Sequence, residues 1–316
     1  MGRLQSGIRY PHHPALMLHI AYRPEYVQPL PEGHRFPMEK YALLPEQLLY
    51  EGAVQSSNFF APEKISNEVL LLTHNAAYLK KLETLSLSRQ EERKTGFPLD
   101  QKLVDREWMI MEGTLRCAWY ALESGIAMNI AGGTHHAYTD RGEGFCLLND
   151  NAIAANALLQ EQKAKKILIV DLDVHQGNGT AQIFANENHV FTFSMHGEKN
   201  YPLHKEKSDL DIGLPDGIGD NAYLQLLHEN LARLLDEVQP DFMFFQCGVD
   251  ILSTDKLGRL GISKEGCKAR DRIVLQAAKT NRIPLVCSMG GGYSEKIADI
   301  VDAHANTFRL AQEIYF

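Results

Sequence analysis

The sequence predicts an α/β domain of three layers, a central and mostly parallel β-sheet flanked by helices, and three observations predict it. Residues 167–170 (ILIV) form an unbroken apolar run rich in β-branched side chains, the pattern of a strand buried on both faces. Such runs alternate with amphipathic stretches long enough for helices, the order expected of parallel strands joined by crossover helices. The 316 residues contain no repeat, no low-complexity segment and no linker composition, so residues 1–316 are expected to form a single domain.

In chain order, residues 15–21 read as a strand and residues 22–37, rich in Pro and Tyr, as a long surface loop. His12, His13, His19 and His34 fall in this region without metal-site spacing and read as loop or rim residues. A helix is expected over 38–50, a second behind the cap Ser66, and a third over 76–85. The charge run 89–96 (RQEERKTG) reads as a solvated connector. Residues 101–123 form a long amphipathic helix with Met111, Leu115, Ala118 and Leu122 on one face, stopped by Gly125. A buried strand follows over 126–131, then a loop, a helix over 152–160, and the central strand. Beyond it come a strand over 190–194, a loop from 196 to 219, and a helix over 222–238. A strand over 242–246, a helix beginning near Ser263, a strand over 284–288 and a last helix complete the chain. That last helix carries Ile297, Val301, His304 and Phe308 on one face, where His304 reads as a satisfied core or boundary histidine.

Composition narrows the function. A net charge of −8 without a long basic run argues against a nucleic-acid surface. Cysteines 117, 146, 247, 267 and 287 are scattered, with no CxxC pair, and read as buried free thiols of a reducing compartment. No run approaches the length of a transmembrane segment and the first residues lack an apolar signal core, so a soluble, cytoplasmic protein is expected.

Five apolar runs end in polar or glycine-rich sequence: GGTHHA, DLDVHQGNG, SMHG, CGVDILSTD and MGGGY. In a parallel sheet these ends share one edge, where open α/β folds bind their ligands. Asp171, Asp173 and His175 leave the central strand at alternate positions and therefore on one side. Asp173 and His175 offer one oxygen and one nitrogen donor to a metal, and Asp250 or Asp255 can add a carboxylate. Few protein ligands plus water is the open coordination of catalytic zinc, and N/O donors without thiolate also suit Fe(II), Co(II) or Mn(II). His135 and His136 follow Gly132 and Gly133 at a neighbouring strand end, with Asp171 available to orient one imidazole and Asn178 to accept from the other. Tyr293, after three glycines, can bring its hydroxyl into the same site.

GGTHHAYTDRGEGFCLLND, DLDVHQGNGT, DILSTDKLGRLGIS and GGGY, in this order, resemble the zinc-dependent histone deacetylases of the arginase–deacetylase fold. Asn178 in the QGNG turn and the run from DILSTDKLG to KARD, ending at Asp271, are most similar to the class IV branch and its bacterial relatives. The resemblance implies one zinc ion on Asp173, His175 and Asp255, His136 as general base and acid, His135 paired with Asp171 as its electrostatic partner, and Tyr293 as electrophile. It implies substrate contacts at Gly144, through its carbonyl, and at Phe145, Tyr201 and Gly291. A monovalent cation, K+ or Na+, is implied on Asp171, Asp173 and Ser194 with main-chain oxygens of His175 and Met195. The implied substrate is an acyl-lysine protein or peptide, with acetyl or a longer fatty acyl chain removed; the class IV likeness points toward the longer chains.

Rival readings have sequence signatures of their own. An arginase-like two-metal hydrolase needs a further carboxylate two residues past His175, where Gly177 stands. A silent acyl-lysine binding module would have lost a ligand or the electrophile, and none is missing. An acetylpolyamine amidohydrolase would share the whole set.

Overall fold

The computed structural model describes residues 16–316, so His12, His13 and the first residue of the expected strand over 15–21 lie outside it. Eight strands are seen among the described residues: β1 (His19–Ala21), β2 (Phe59–Phe60), β3 (Ile126–Asn129), β4 (Ile167–Asp171), β5 (Val190–Gly197), β6 (Leu210–Leu214), β7 (Phe242–Gln246) and β8 (Leu285–Ser288). They form one sheet in the order β2-β1-β3-β8-β7-β4-β5-β6, and every neighbouring pair is parallel. From β4 the chain steps outward through β5 and β6, then crosses back to β7 and β8 on the other side. The reversal beside β4 is a topological switch point, where such sheets open a crevice at their C-terminal edge. All five residues of β4 are buried, as the apolar run requires.

The helices are α1 (Lys40–Tyr50), α2 (Asn67–Leu70), α3 (Ala76–Glu83), α4 (Arg89–Thr95), α5 (Gln101–Ser124), α6 (Asp150–Gln160), α7 (Asn178–Ile183), α8 (Asp220–Val238), α9 (Lys264–Asn281) and α10 (Ile297–Tyr315). One helical layer is built on α5, which packs on β1, β3 and β8 and pairs with α6; the other is the row α1, α10, α9, α8. Asp100 starts α5 by accepting the Leu103 N–H at 2.7 Å, and Gly125, at φ +86°, ends it in the left-handed region.

The structure adds the short strand β2 and the helix α7, which the sequence analysis did not expect, and differs from it at further places. Residues 89–95 form the helix α4 rather than a connector. Ser88 and Glu91 close a capping box at its start and Gly96 ends it at φ +79°, so caps stabilise about two turns that have almost no apolar face. The expected loop 196–219 contains the edge strand β6, whose sequence LDIGL is mostly half-exposed and so lacks a buried strand's signature. The last expectation to change is His304. It is buried on α10 as expected, but its Nε2 has no hydrogen-bond partner among the described residues.

Candidate active site

The loop after β3 carries the two histidines, and two glycines let it approach its neighbours. A Cβ on Gly132 would stand 2.3 Å from Asp150 Oδ2, and one on Gly133 would stand 2.7 Å from the backbone of Gly290; both residues have positive φ. Asp150 locks this turn by accepting from Thr134 N–H (2.8 Å), Thr114 Oγ1 (2.7 Å) and Ser288 Oγ (3.0 Å). The loops leaving β3 and β8 are thereby pressed together.

The adjacent imidazoles have different partners. His135 Nδ1 lies 2.7 Å from Asp171 Oδ2. Burial opposes protonation of His135, but Asp171 and Asp173 outweigh it and raise its pKa to about 9. His136 Nδ1 lies 2.6 Å from Asn178 Oδ1, and Asn178 Nδ2 donates in turn to Tyr138 Oη at 2.9 Å. The amide oxygen can only accept, so His136 carries its proton on Nδ1 and presents a bare Nε2. Burial, followed by the cationic neighbours His135 and His175, holds the His136 pKa well below its ordinary value.

Beside them, donor atoms of Asp173, His175 and Asp250 all lie within 4.8 Å of one another, the one group of this kind among the described residues. His175 Nδ1 is 3.1 Å from both Asp173 Oδ1 and Asp250 Oδ2. Asp173 Oδ2 accepts the Gly291 N–H at 2.9 Å, and Asp250 Oδ1 accepts the Val174 N–H at 2.9 Å. Burial, with Asp173 adding to it, raises the Asp250 carboxyl to about 7; against burial, the two carboxylates lift His175 to about 10. The trio thus draws a positive charge into a buried place. Its oxygen and nitrogen donors fit a divalent metal, which would replace the proton on His175.

Asp255 lies just outside this trio. Its Oδ1 accepts from the N–H groups of Leu257 (2.8 Å) and Gly258 (2.9 Å), and its Oδ2 from Tyr293 N–H (2.6 Å). It is half-exposed, whereas Asp250 is fully buried. No side chain fits at Gly177, where a Cβ would meet Asp171 Oδ2 at 2.2 Å, so a bridging carboxylate for a second ion has no room there. Asp171 and Ser194 face each other in register across β4 and β5, and Met195 follows on the same strand. Ser194 Oγ is paired with His196 Nδ1 at 2.9 Å.

Tyr293 closes the opposite wall. Burial first, then the charges of Asp250 and Asp173, push its phenol well above the usual value, so it remains a proton donor. Its ring lies 5.9 Å from that of Phe145 and 6.4 Å from that of His175. Gly144 has φ +54°, and a Cβ there would meet His136 Cδ2 at 2.6 Å. Tyr201 stands edge-on to His136 with ring centroids 4.9 Å apart, and its hydroxyl donates to Glu143 at 2.8 Å. His136, His175, Phe145, Tyr201 and Tyr293 line an open cavity of about 810 Å3; an inner recess of about 40 Å3 lies behind, with Gly291 and Asp173 in its wall. Gly291 meets the site through its N–H on Asp173.

One buried group escaped the sequence reading. Lys40, at the first position of α1, donates to the Gly290 carbonyl at 3.2 Å beneath Tyr293, and burial lowers its pKa to about 8. A lysine at a helix start ordinarily reads as solvated.

A family model described as a histone deacetylase domain matches residues 34–308. An uncharacterized protein of a Picosynechococcus strain is 44% identical over 296 residues, covering 94% of this chain and 99% of its own length. Histone deacetylase 2 of Arabidopsis thaliana is 30% identical over 277 residues, covering 85% of this chain and 72% of its own. Among solved structures, the crystal structure of an HDAC homolog complexed with SAHA matches with a TM-score of 0.81 at 22% identity, over 94% of this chain and 84% of that one. At that identity the likeness speaks for the fold.

Proposed function

Because this chain belongs to the histone deacetylase family, whose domain model spans residues 34–308, we propose that it is a metal-dependent amide hydrolase that removes an acyl group from the ε-amine of lysine. The observation that carries this reading is the convergence on one cavity of a neutral His136, the Asp173–His175 pair with a second carboxylate, and the Tyr293 phenol.

In this reading Asp173, His175 and Asp255 would hold a zinc ion. When bound, the ion polarises an amide carbonyl and lowers the pKa of water. The chain's own residues do the rest. Tyr293 donates its hydroxyl proton in a hydrogen bond to the substrate carbonyl oxygen as negative charge develops there. His136 Nε2 takes the proton of the attacking water and delivers one to the leaving lysine amine, which is too basic to depart as an anion. His135, held by Asp171, supplies fixed positive charge beside it. The Gly144 carbonyl accepts the substrate amide N–H, and Phe145 and Tyr201 flank the lysine chain. A monovalent cation, K+ or Na+, on Asp171, Asp173, Ser194 and the main-chain oxygens of His175 and Met195 would stiffen the strand ends beneath.

The recess of about 40 Å3 is close to the space of a single water-sized group, which favours acetyl over long fatty chains in this conformation. The test compares kcat/KM of the zinc-loaded chain on acetyl-, octanoyl- and myristoyl-lysine peptides. Acetyl is expected to lead. No release of free lysine from any of the three would refute the hydrolase.

A further inference from the structure

The mouth of the cavity carries a charge opposite to that of the whole chain. Arg35, Arg93, Lys94, Lys199 and Arg259 line it, all exposed, while the chain as a whole has a net charge of −8. They come from four separate stretches: the loop before α1, the helix α4, the segment after β5, and the loop before α9. Two carboxylates share the mouth, and both are engaged. Glu143 accepts from Tyr201 Oη at 2.8 Å and Arg141 Nε at 3.1 Å and lies 3.8 Å from Lys94 Nζ, and Glu206 accepts from Tyr138 Oη at 3.2 Å. Asp216, just outside, is shared by Lys199 at 3.8 Å and Arg259 at 3.5 Å. Among the described residues Arg93 makes no ion pair, and the Arg35 guanidinium lies over the Phe145 ring, 5.2 Å from its centroid. The cavity wall itself therefore holds one of these cations at the entrance.

The geometry points to an acidic segment as the substrate: this rim selects acyl-lysines flanked by Asp or Glu and disfavours those flanked by Lys or Arg. The inference rests on the hydrolase reading above and names its substrate class. A peptide threading its acyl-lysine past Phe145 lays its neighbouring side chains across Arg35 and Lys94 on one side and Lys199 and Arg259 on the other. Exposed charge contacts are individually weak, so several must act together, and their sum must weaken with salt. A cationic acylated polyamine meets the same repulsion and is disfavoured for the same reason.

Three acetyl-lysine peptides of equal length, flanked by Asp, Ser or Arg, test this with the zinc-loaded full chain. At low salt the order of kcat/KM is expected to be Asp, Ser, Arg, with about a tenfold span, a range set by a few exposed charge contacts. The span should shrink toward unity at about 0.5 M salt, where screening acts over a few ångströms. In the double variant Arg35→Gln/Arg93→Gln, the ratio between the Asp and Arg peptides should fall severalfold. Equal turnover of all three, a preference for the Arg peptide or for an acetylated polyamine, or an unchanged ratio in the double variant would overturn the proposal. Fluorescence anisotropy with labelled versions of the peptides separates this from the hydrolase reading. Charge-ranked binding without turnover refutes the hydrolase and keeps the rim; turnover without charge ranking refutes the rim alone.

Discussion

His136 Nδ1 meets Asn178 Oδ1 at 2.6 Å, while the adjacent His135 meets the Asp171 carboxylate at 2.7 Å. Burial and the cationic His135 and His175 hold His136 neutral, since an amide supplies no charge to offset them, whereas the carboxylates beside His135 keep that ring charged near neutral pH. The neutral ring is the one free to accept a proton. Asn178→Asp puts a second carboxylate on His136 and raises its pKa. The acid limb of the kcat/KM–pH profile should therefore move upward by about 1–2 pH units. An unmoved limb in that variant would separate His136 from the titrating base.

His136→Ala and Tyr293→Phe remove a proton carrier and a hydrogen-bond donor without touching Asp173 or His175. Each is expected to lower kcat by roughly a hundredfold or more, the usual scale of general acid–base and oxyanion terms. Metal content per chain, measured alongside, should stay at the wild-type value. Full activity in either variant would remove that residue from the mechanism.

Two carboxylates stand ready to complete the metal site, and their surroundings distinguish them. Asp250 is fully buried with its Oδ2 3.1 Å from His175 Nδ1, whereas Asp255 is half-exposed and tied to Tyr293 N–H at 2.6 Å. A catalytic ion keeps one coordination position open to substrate, which a half-exposed ligand allows. Asp255→Asn should lose bound zinc on dialysis, and Asp250→Asn should keep most of it. The reverse pattern would assign Asp250, the nearer carboxylate in the trio, as the ligand.

Much of this arrangement was legible because the chemistry sits where strands end. The ILIV run marked β4, and DLDVH placed two carboxylates and an imidazole at its tip by the two-residue period of a strand. Asp171 and Asn178 were legible as partners of the two histidines, but other contacts come from distant parts of the chain and carry no local signal. Lys40 lies 250 residues from the carbonyl it meets, and nothing near it in sequence separates a buried ammonium from an ordinary solvated one. The strand β6 was missed because an edge strand with one wet face needs no unbroken apolar run. The helix α4 was missed because caps, rather than a buried stripe, stabilise it.

His74 offers a measure of acid stability away from the metal. Burial holds its pKa at about 4; its Nδ1 donates to the Tyr138 carbonyl (2.9 Å) and its Nε2 accepts the Asn149 N–H (3.0 Å), so the folded ring is neutral. The unfolded ring takes up a proton first as pH falls. Its stability contribution is therefore complete above about 6.5 and lost progressively down to about 4, up to about 3 kcal/mol. Urea unfolding of the wild type and His74→Gln across this range checks it. The variant should be less stable at pH 7 and show a shallower decline on acidification.

Arg270 is fully buried behind the site and ties together the ends of two strands. Its Nη1 donates to the Gly248 carbonyl at 2.6 Å and the Leu172 carbonyl at 3.1 Å, and its Nη2 to the Cys247 carbonyl at 3.2 Å. Leu172 and Cys247 follow β4 and β7 directly, so the guanidinium braces the backbone that presents Asp173 and Asp250. Asp271 pairs with it at 2.7 Å and accepts from Thr307 Oγ1 at 2.7 Å. Arg270→Met keeps much of the volume but leaves a buried carboxylate unpaired and three carbonyls without donors. Breaking a buried pair from one side typically costs about 3–5 kcal/mol, which should appear as a lower urea midpoint with an unchanged slope. Arg270→Lys should recover little, since one ammonium cannot span three carbonyls and a carboxylate in the planar fork's geometry. A midpoint near wild type in Arg270→Met would mean that the strand ends are held without this brace.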